Sequence, residues 1–167
     1  MQLLIVIVVM ALIIGIVIAV INPGKRFGEI NDSERKTESE AILNAIYQYQ
    51  TSTGELPKCL YGTIPAPTDI PECDGEENGN FDGAIELGTP PGDDTYDCST
   101  ILIPVYLQEM PTDPKVSRSE KHSGYYICQN TTEALPIVYI IDADAEVSTD
   151  GNCQIPGTTD PAMCVTK

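Results

Sequence analysis

From Leu3 to Ile21 the chain contains only Leu, Ile, Val, Met, Ala and Gly, and its first charge is Lys25. A helix over this run would span about 28 Å at 1.5 Å per residue, close to the ~30 Å hydrocarbon core of a bilayer. Helices of globular cores are seldom apolar on every side. A secretory leader is shorter and follows a basic region, and no basic residue stands before Leu3. The run therefore predicts a transmembrane or filament-core helix over residues 1–24. Its packing side chains would be Leu3, Leu4, Ile5, Val6, Ile7, Val8, Met10, Leu12, Ile13, Ile14, Ile16, Val17, Ile18, Val20 and Ile21. Such a helix has two stable homes, a bilayer or a bundle of like helices, and moving between them is nearly neutral for apolar burial.

Everything charged lies beyond that segment. The chain of 167 residues has 9 Lys+Arg against 25 Asp+Glu, a formal net charge of −16. That balance argues against direct binding of a nucleic-acid backbone, which needs a basic surface, and against docking on anionic head groups. Cys59, Cys73, Cys98, Cys128, Cys153 and Cys164 form an even set with no CxxC pair, and His122 is the single histidine. Disulfides are favoured over zinc, which implies a compartment outside the cytosol. Lys25 and Arg26, just after the helix, would place that end in the cytoplasm on the positive-inside rule. The cysteines carry more weight here, because a basic leader since removed would reconcile the two signals. Six cysteines leave the connectivity open; the expected pairs are Cys59–Cys73, Cys98–Cys128 and Cys153–Cys164.

Pro23 and Gly24, after Asn22, predict a break in the leading helix, since Pro removes a backbone donor and Gly loosens the turn. A second helix is expected over residues 25–54. Phe27, Ile30, Ala41, Ile42, Ala45, Ile46 and Tyr49 share one face. Glu29, Asp32, Glu34, Arg35, Lys36, Glu38 and Glu40 would form a solvated opposite face. Thr53-Gly54 and then Pro57 read as its stop. Only this second half can pack on a globular head, residues 55–167; the first half would project.

Within the head, residues 58–98 read as a long acidic loop and residues 101–148 as the sheet region. Ile101 to Met110 suggests a short helical turn or a strand broken by Pro104, and Pro111-Thr112-Asp113-Pro114 a turn. Tyr125–Cys128 and Ile137–Ile141 are rich in β-branched and aromatic residues and predict an antiparallel hairpin. A third strand is expected near Ala145 to Ser148, and residues 152–167 as a C-terminal loop. The fold class is α+β: a long N-terminal helix, a small antiparallel sheet and long disulfide-stapled loops.

Four features in this order resemble the type IV pilin and pseudopilin family: the leading helix from Gln2-Leu3-Leu4-Ile5 to Ile21-Asn22-Pro23; its charged amphipathic continuation from Asp32 through Ile42, Ile46 and Tyr49; Gly54-Glu55-Leu56-Pro57; and Tyr106-Leu107 with Pro111-Thr112-Asp113-Pro114, then Gly124-Tyr125-Tyr126. The likeness covers the first 57 residues and, less fully, residues 101–142. It does not reach the acidic stretch or the tail. It implies a non-enzymatic subunit of an extracellular pilus, held in the inner membrane before assembly. Its partners would be copies of itself in a helical homopolymer and the membrane assembly machinery, and its roles adhesion, motility or surface attachment. A pseudopilin of a type II secretion machine is the neighbouring reading. A reading of another class is a single-span membrane-anchored ectodomain that binds a ligand or calcium. The family usually carries a glutamate near the start of its mature helix, whereas here no acid precedes Glu29. In one register Gln2 stands in its place; in the other Met1 is the mature first residue and Ile5 does. In either, packing carries more of the assembly.

No cofactor motif is present, and no Gly-x-Ser-x-Gly, HExxH or phosphate loop. Calcium is the one candidate ion, through Asp69, Glu72, Asp74, Glu76, Glu77, Asp82, Glu86, Asp93, Asp94 and Asp97, or Asp142, Asp144 and Asp150. Neither set has EF-hand spacing, and a solvated acidic face is the plainer reading. Tyr47, Tyr49, Tyr125, Tyr126 and Tyr139 fit a core at their helical and strand spacings. Asn31 and Asn130 each open an Asn-x-Ser/Thr glycosylation pattern.

Overall fold

A computed structural model describes residues 2–21, 23–62, 64, 66–73, 83–88, 95–114, 121–131, 137–142 and 163–166. The leading helix α1 covers Gln2–Ile21, 20 residues or about 30 Å. A second helix, α2, covers Pro23–Thr53. Pro23 and Gly24 are themselves helical, as the first two residues of α2; Pro suits that position because the first-turn N–H groups have no intrahelical acceptor. The backbone of Asn22 lies outside the described residues. α2 stops at Gly54, which adopts φ +86° and donates its N–H to the Gln50 carbonyl at 2.7 Å.

The head is α+β, with a seven-stranded sheet in the order β2-β1-β4-β3-β5-β6-β7. Its strands are β1 Cys59–Tyr61, β2 Pro67–Thr68, β3 Ile85–Leu87, β4 Thr95–Asp97, β5 Tyr125–Asn130, β6 Ile137–Asp142 and β7 Met163–Thr166. A short helix, α3, covers Ser99–Leu102, and the Ile103–Pro104 peptide that follows is cis. The expected hairpin is present as β5–β6, antiparallel with Ile127 opposite Ile140. The sheet as a whole is mixed rather than antiparallel, because β3 and β4 run parallel.

Two segments expected as loops hold strands. Residues 58–98 supply β1 to β4, in pieces of two or three residues too short to show a period. The tail supplies β7, which pairs with β6 through Ile140 and Val165. The strand expected at residues 145–148 lies outside the described residues.

α2 lies against β6 and β7. Ile42, Leu43, Ala45 and Ile46 of α2 meet Tyr125, Ile127, Val138 and Ile140 in the core, and Leu87, Tyr96 and Leu102 extend it. Alternation along the strands puts Tyr126, Cys128, Tyr139 and Ile141 on the opposite face, in a smaller cluster with Cys73 and Ala84. Among the expected tyrosines, Tyr125 is fully buried, Tyr47 and Tyr49 pack partly buried on the main core, and Tyr126 and Tyr139 on the smaller one.

The disulfides differ from the expected pairs. Cys59 bonds Cys98 and Cys73 bonds Cys128. The reason is strand register. Leu60 faces Asp97 across the antiparallel β1–β4 pair, which brings the adjoining Cys59 and Cys98 together. The Cys73 N–H donates to the Gln129 carbonyl at 2.9 Å, which sets Cys73 beside Cys128. Cys153 and the side chain of Cys164, the third expected pair, lie outside the described residues.

Candidate functional site

Two features carry functional information: the surface of α1 and a buried ionic seam that fixes α2 on the head. In α1, every large apolar side chain from Leu3 to Val17 is at least 47 % exposed. No acid stands in its first turn and no base in its last. The head covers none of these residues, so their burial must come from elsewhere; full burial of one such side chain is worth about 1.5–3 kcal/mol. The side chains of Ile18, Val20, Ile21 and Pro23 lie outside the described residues. Among the described residues no helix is long and apolar enough to cross a membrane.

The seam is built around Arg35, which is fully buried. Its Nη1 donates to Asp32 Oδ1 at 2.7 Å, one turn earlier on α2. Nε and Nη2 donate to the two carboxylate oxygens of Asp113 at 2.7 and 3.3 Å, a bidentate pair. Asp142, the last residue of β6, forms an ion pair with Nε at 3.3 Å. One guanidinium thus gathers carboxylates from a helix, a loop and a strand. The loop is held in turn by the Asp113 N–H, which donates to the Ser123 carbonyl at 2.7 Å. Burial alone would lower the Arg35 pKa; its hydrogen bonds to Asp113 and Asp32, with the charges of Asp113 and Asp142, outweigh that and raise it. Arg35 therefore stays charged.

Tyr125 sits opposite Asp142 in the β5–β6 register and donates its phenol to Glu38 of α2. Burial raises the Glu38 pKa; the Tyr125 bond partly offsets this, and the nearby Glu34 and Asp113 charges add to it. The Tyr125 phenol is also pushed up, by burial first and then by Glu38, Asp142 and Asp113.

The seam corrects the expected helix faces. Asp32 and Arg35, expected in solvent, are buried, while Phe27 and Ile30, expected to face the head, are 66 % and 60 % exposed. The buried stripe runs through positions 28, 32, 35, 39, 42 and 46, alternating steps of four and three. A signal was available: Asp32 and Arg35 fall on the same turn-to-turn line as Ile42 and Ile46. Asp113 and Asp142, far along the chain, had no local signature.

The other expected residues are placed as follows. Asp69 pairs with Lys58 at 3.1 Å, raising the exposed lysine's pKa. Glu72 accepts from Thr131 at 2.6 Å. Glu86 accepts from the Gly124 N–H at 2.9 Å and meets His122 at 3.0 Å. Asp97 accepts from the Ser99 N–H at 2.8 Å. Among the described residues no group of three or more His, Cys, Asp or Glu is arranged to hold a metal ion. Asp74, Glu76, Glu77, Asp82, Asp93, Asp94, Asp144 and Asp150 lie outside those residues. Asn31 is half-buried within α2, and Asn130 is the half-buried last residue of β5. Comparison with family models, curated proteins and solved structures finds no match for this chain.

Proposed function

We propose that this chain is a structural subunit of a type IV pilus-like extracellular filament, assembled by lateral packing of α1 helices, with adhesion, motility or surface attachment as its role. The observation that carries the reading is the all-round exposure of the apolar side chains from Leu3 to Val17 on a helix joined to a folded head. A helix of that kind is stable in lipid, and equally in a bundle of its own copies. Two disulfides support a head that matures outside the cytosol. A contact between copies that does not close on itself produces a fibre. In this role α1 is the assembly element, the head is the displayed surface, and the Arg35 seam fixes how α2 sits on that head.

Electron microscopy of sheared surface material, and of the purified full chain after detergent removal, tests this. Filaments of uniform width are expected, and Ile13→Asp should abolish them while leaving the head's disulfides and circular dichroism intact. Full-length chains that remain single in micelles and never polymerise would overturn the proposal in favour of a membrane-anchored ectodomain.

A further inference from the structure

Beside the seam, α2 and the loop that follows α3 border a cavity of about 340 Å³, within the ~300–1,000 Å³ range of small-molecule sites. Glu38 stands on its helix side, and Ile103, Glu109, Met110 and Pro111 on its loop side. Both walls are held in place. Tyr125 donates to Glu38 Oε2. The loop is tied at its start by the Tyr106 and Leu107 N–H groups, which donate to the Leu102 carbonyl at 2.8 and 3.0 Å. The Tyr106 hydroxyl lies 2.6 Å from Ser52 Oγ on α2. At the far end Arg35 clamps Asp113 through both carboxylate oxygens. The cavity is thus pre-formed, as small-molecule sites usually are.

The charge around it is one-sided. The carboxylates of Asp32, Asp113 and Asp142 already share the single Arg35 guanidinium, so the junction carries an excess of negative charge. Glu38 adds to that excess, and its Oε1 bonds no other described residue. Among the described residues no Lys, Arg or His lines the cavity. Burial and the charges of Glu34 and Asp113 penalise ionised Glu38, and a cation brought to Oε1 relieves that penalty. The loop side is apolar: Met110 is buried in the main core, and Ile103 packs against it. An apolar wall beside carboxylates fits an aliphatic stem that ends in a positive charge. A bare metal ion fits less well, since no three acids of the described residues are grouped to hold one. We propose that this cavity binds an alkylammonium group of lysine side-chain length, its nitrogen at Glu38 and Glu109 and its stem along Ile103, Met110 and Pro111. The inference concerns the head alone and does not rest on the filament reading.

The test is isothermal titration of the full-length chain in uncharged detergent micelles, at pH 7 and fixed ionic strength. The probes are Nα-acetyl-lysinamide, cadaverine and, as the uncharged control, Nα-acetyl-norleucinamide. Saturable one-to-one binding of the amines is expected, with none of the control. Tighter binding of the lysinamide would identify the ligand as a side chain of another protein, and tighter binding of cadaverine as a free amine. Glu38→Gln should weaken binding by about tenfold, because a charge-assisted hydrogen bond is worth at least that. Glu109→Gln, at an exposed position, should weaken it by about threefold. Circular dichroism melts check that both variants keep the fold. No saturable heat with either amine would overturn the proposal, as would equal binding of the norleucine control or unaltered affinity in either variant. Calcium chloride that displaces the amine at equal ionic strength would assign the cavity to a metal ion instead.

Discussion

Arg35 is the residue on which the helix–head junction turns. Removing one partner from a buried ion pair leaves the other charges stranded, at a cost of about 3–5 kcal/mol. Arg35→Ala should therefore lower the chemical-denaturation midpoint by that equivalent. Arg35→Lys should recover only part of it, because an ammonium cannot span both oxygens of Asp113. Glu38 makes a pH-dependent contribution of known sign. Its folded pKa lies above the ordinary 4.5, so the stability it confers is fully present below that value and is lost as pH rises through the folded value. Glu38→Gln keeps an acceptor for Tyr125 and cannot ionise. Its stability relative to the unaltered protein should therefore rise as pH goes from 4 to 7, as read by thermal melts across that range. An equal pH response in both proteins would refute this.

At the level of elements, the two disulfides close stretches separated by 39 and 55 residues. Removing either by paired Cys→Ala substitution should cost about 2–5 kcal/mol, and peptide mapping without reduction should recover Cys59 with Cys98 and Cys73 with Cys128. Much of the architecture was legible at this scale. α1 announces itself by composition, α2 by its period and its Gly54 stop, and the β5–β6 hairpin by Tyr125–Cys128 and Ile137–Ile141. Less visible were features set by distant partners. β1 and β4 are three residues each, and their pairing depends on chain some 35 residues away. The cysteine pairing follows that register and could not precede it. Charged residues such as Arg35 usually face solvent, and the aspartates that permit its burial arrive about 80 and 110 residues later.

At the scale of the molecule, a strongly acidic head is tied to a helix with no charge at all. Like heads repel across any assembly, and that repulsion fades as carboxylates protonate towards the sequence pI near 4.1. For the proposed filament, light scattering should therefore rise sharply as pH falls from 7 to about 4, through side-by-side bundling that moderate salt promotes at pH 7 by screening. Polymer equally dispersed at both pH values would count against this.

β7 joins the edge of the sheet beside β6 and rests on α2. During synthesis α2 is made early, whereas residues 163–166 leave the ribosome long afterwards. The complete support for α2 is therefore available only once translation has reached that strand. Ribosome-bound chains halted before Met163 should then be more open to protease at α2 than full-length chains held on the ribosome by an added C-terminal linker.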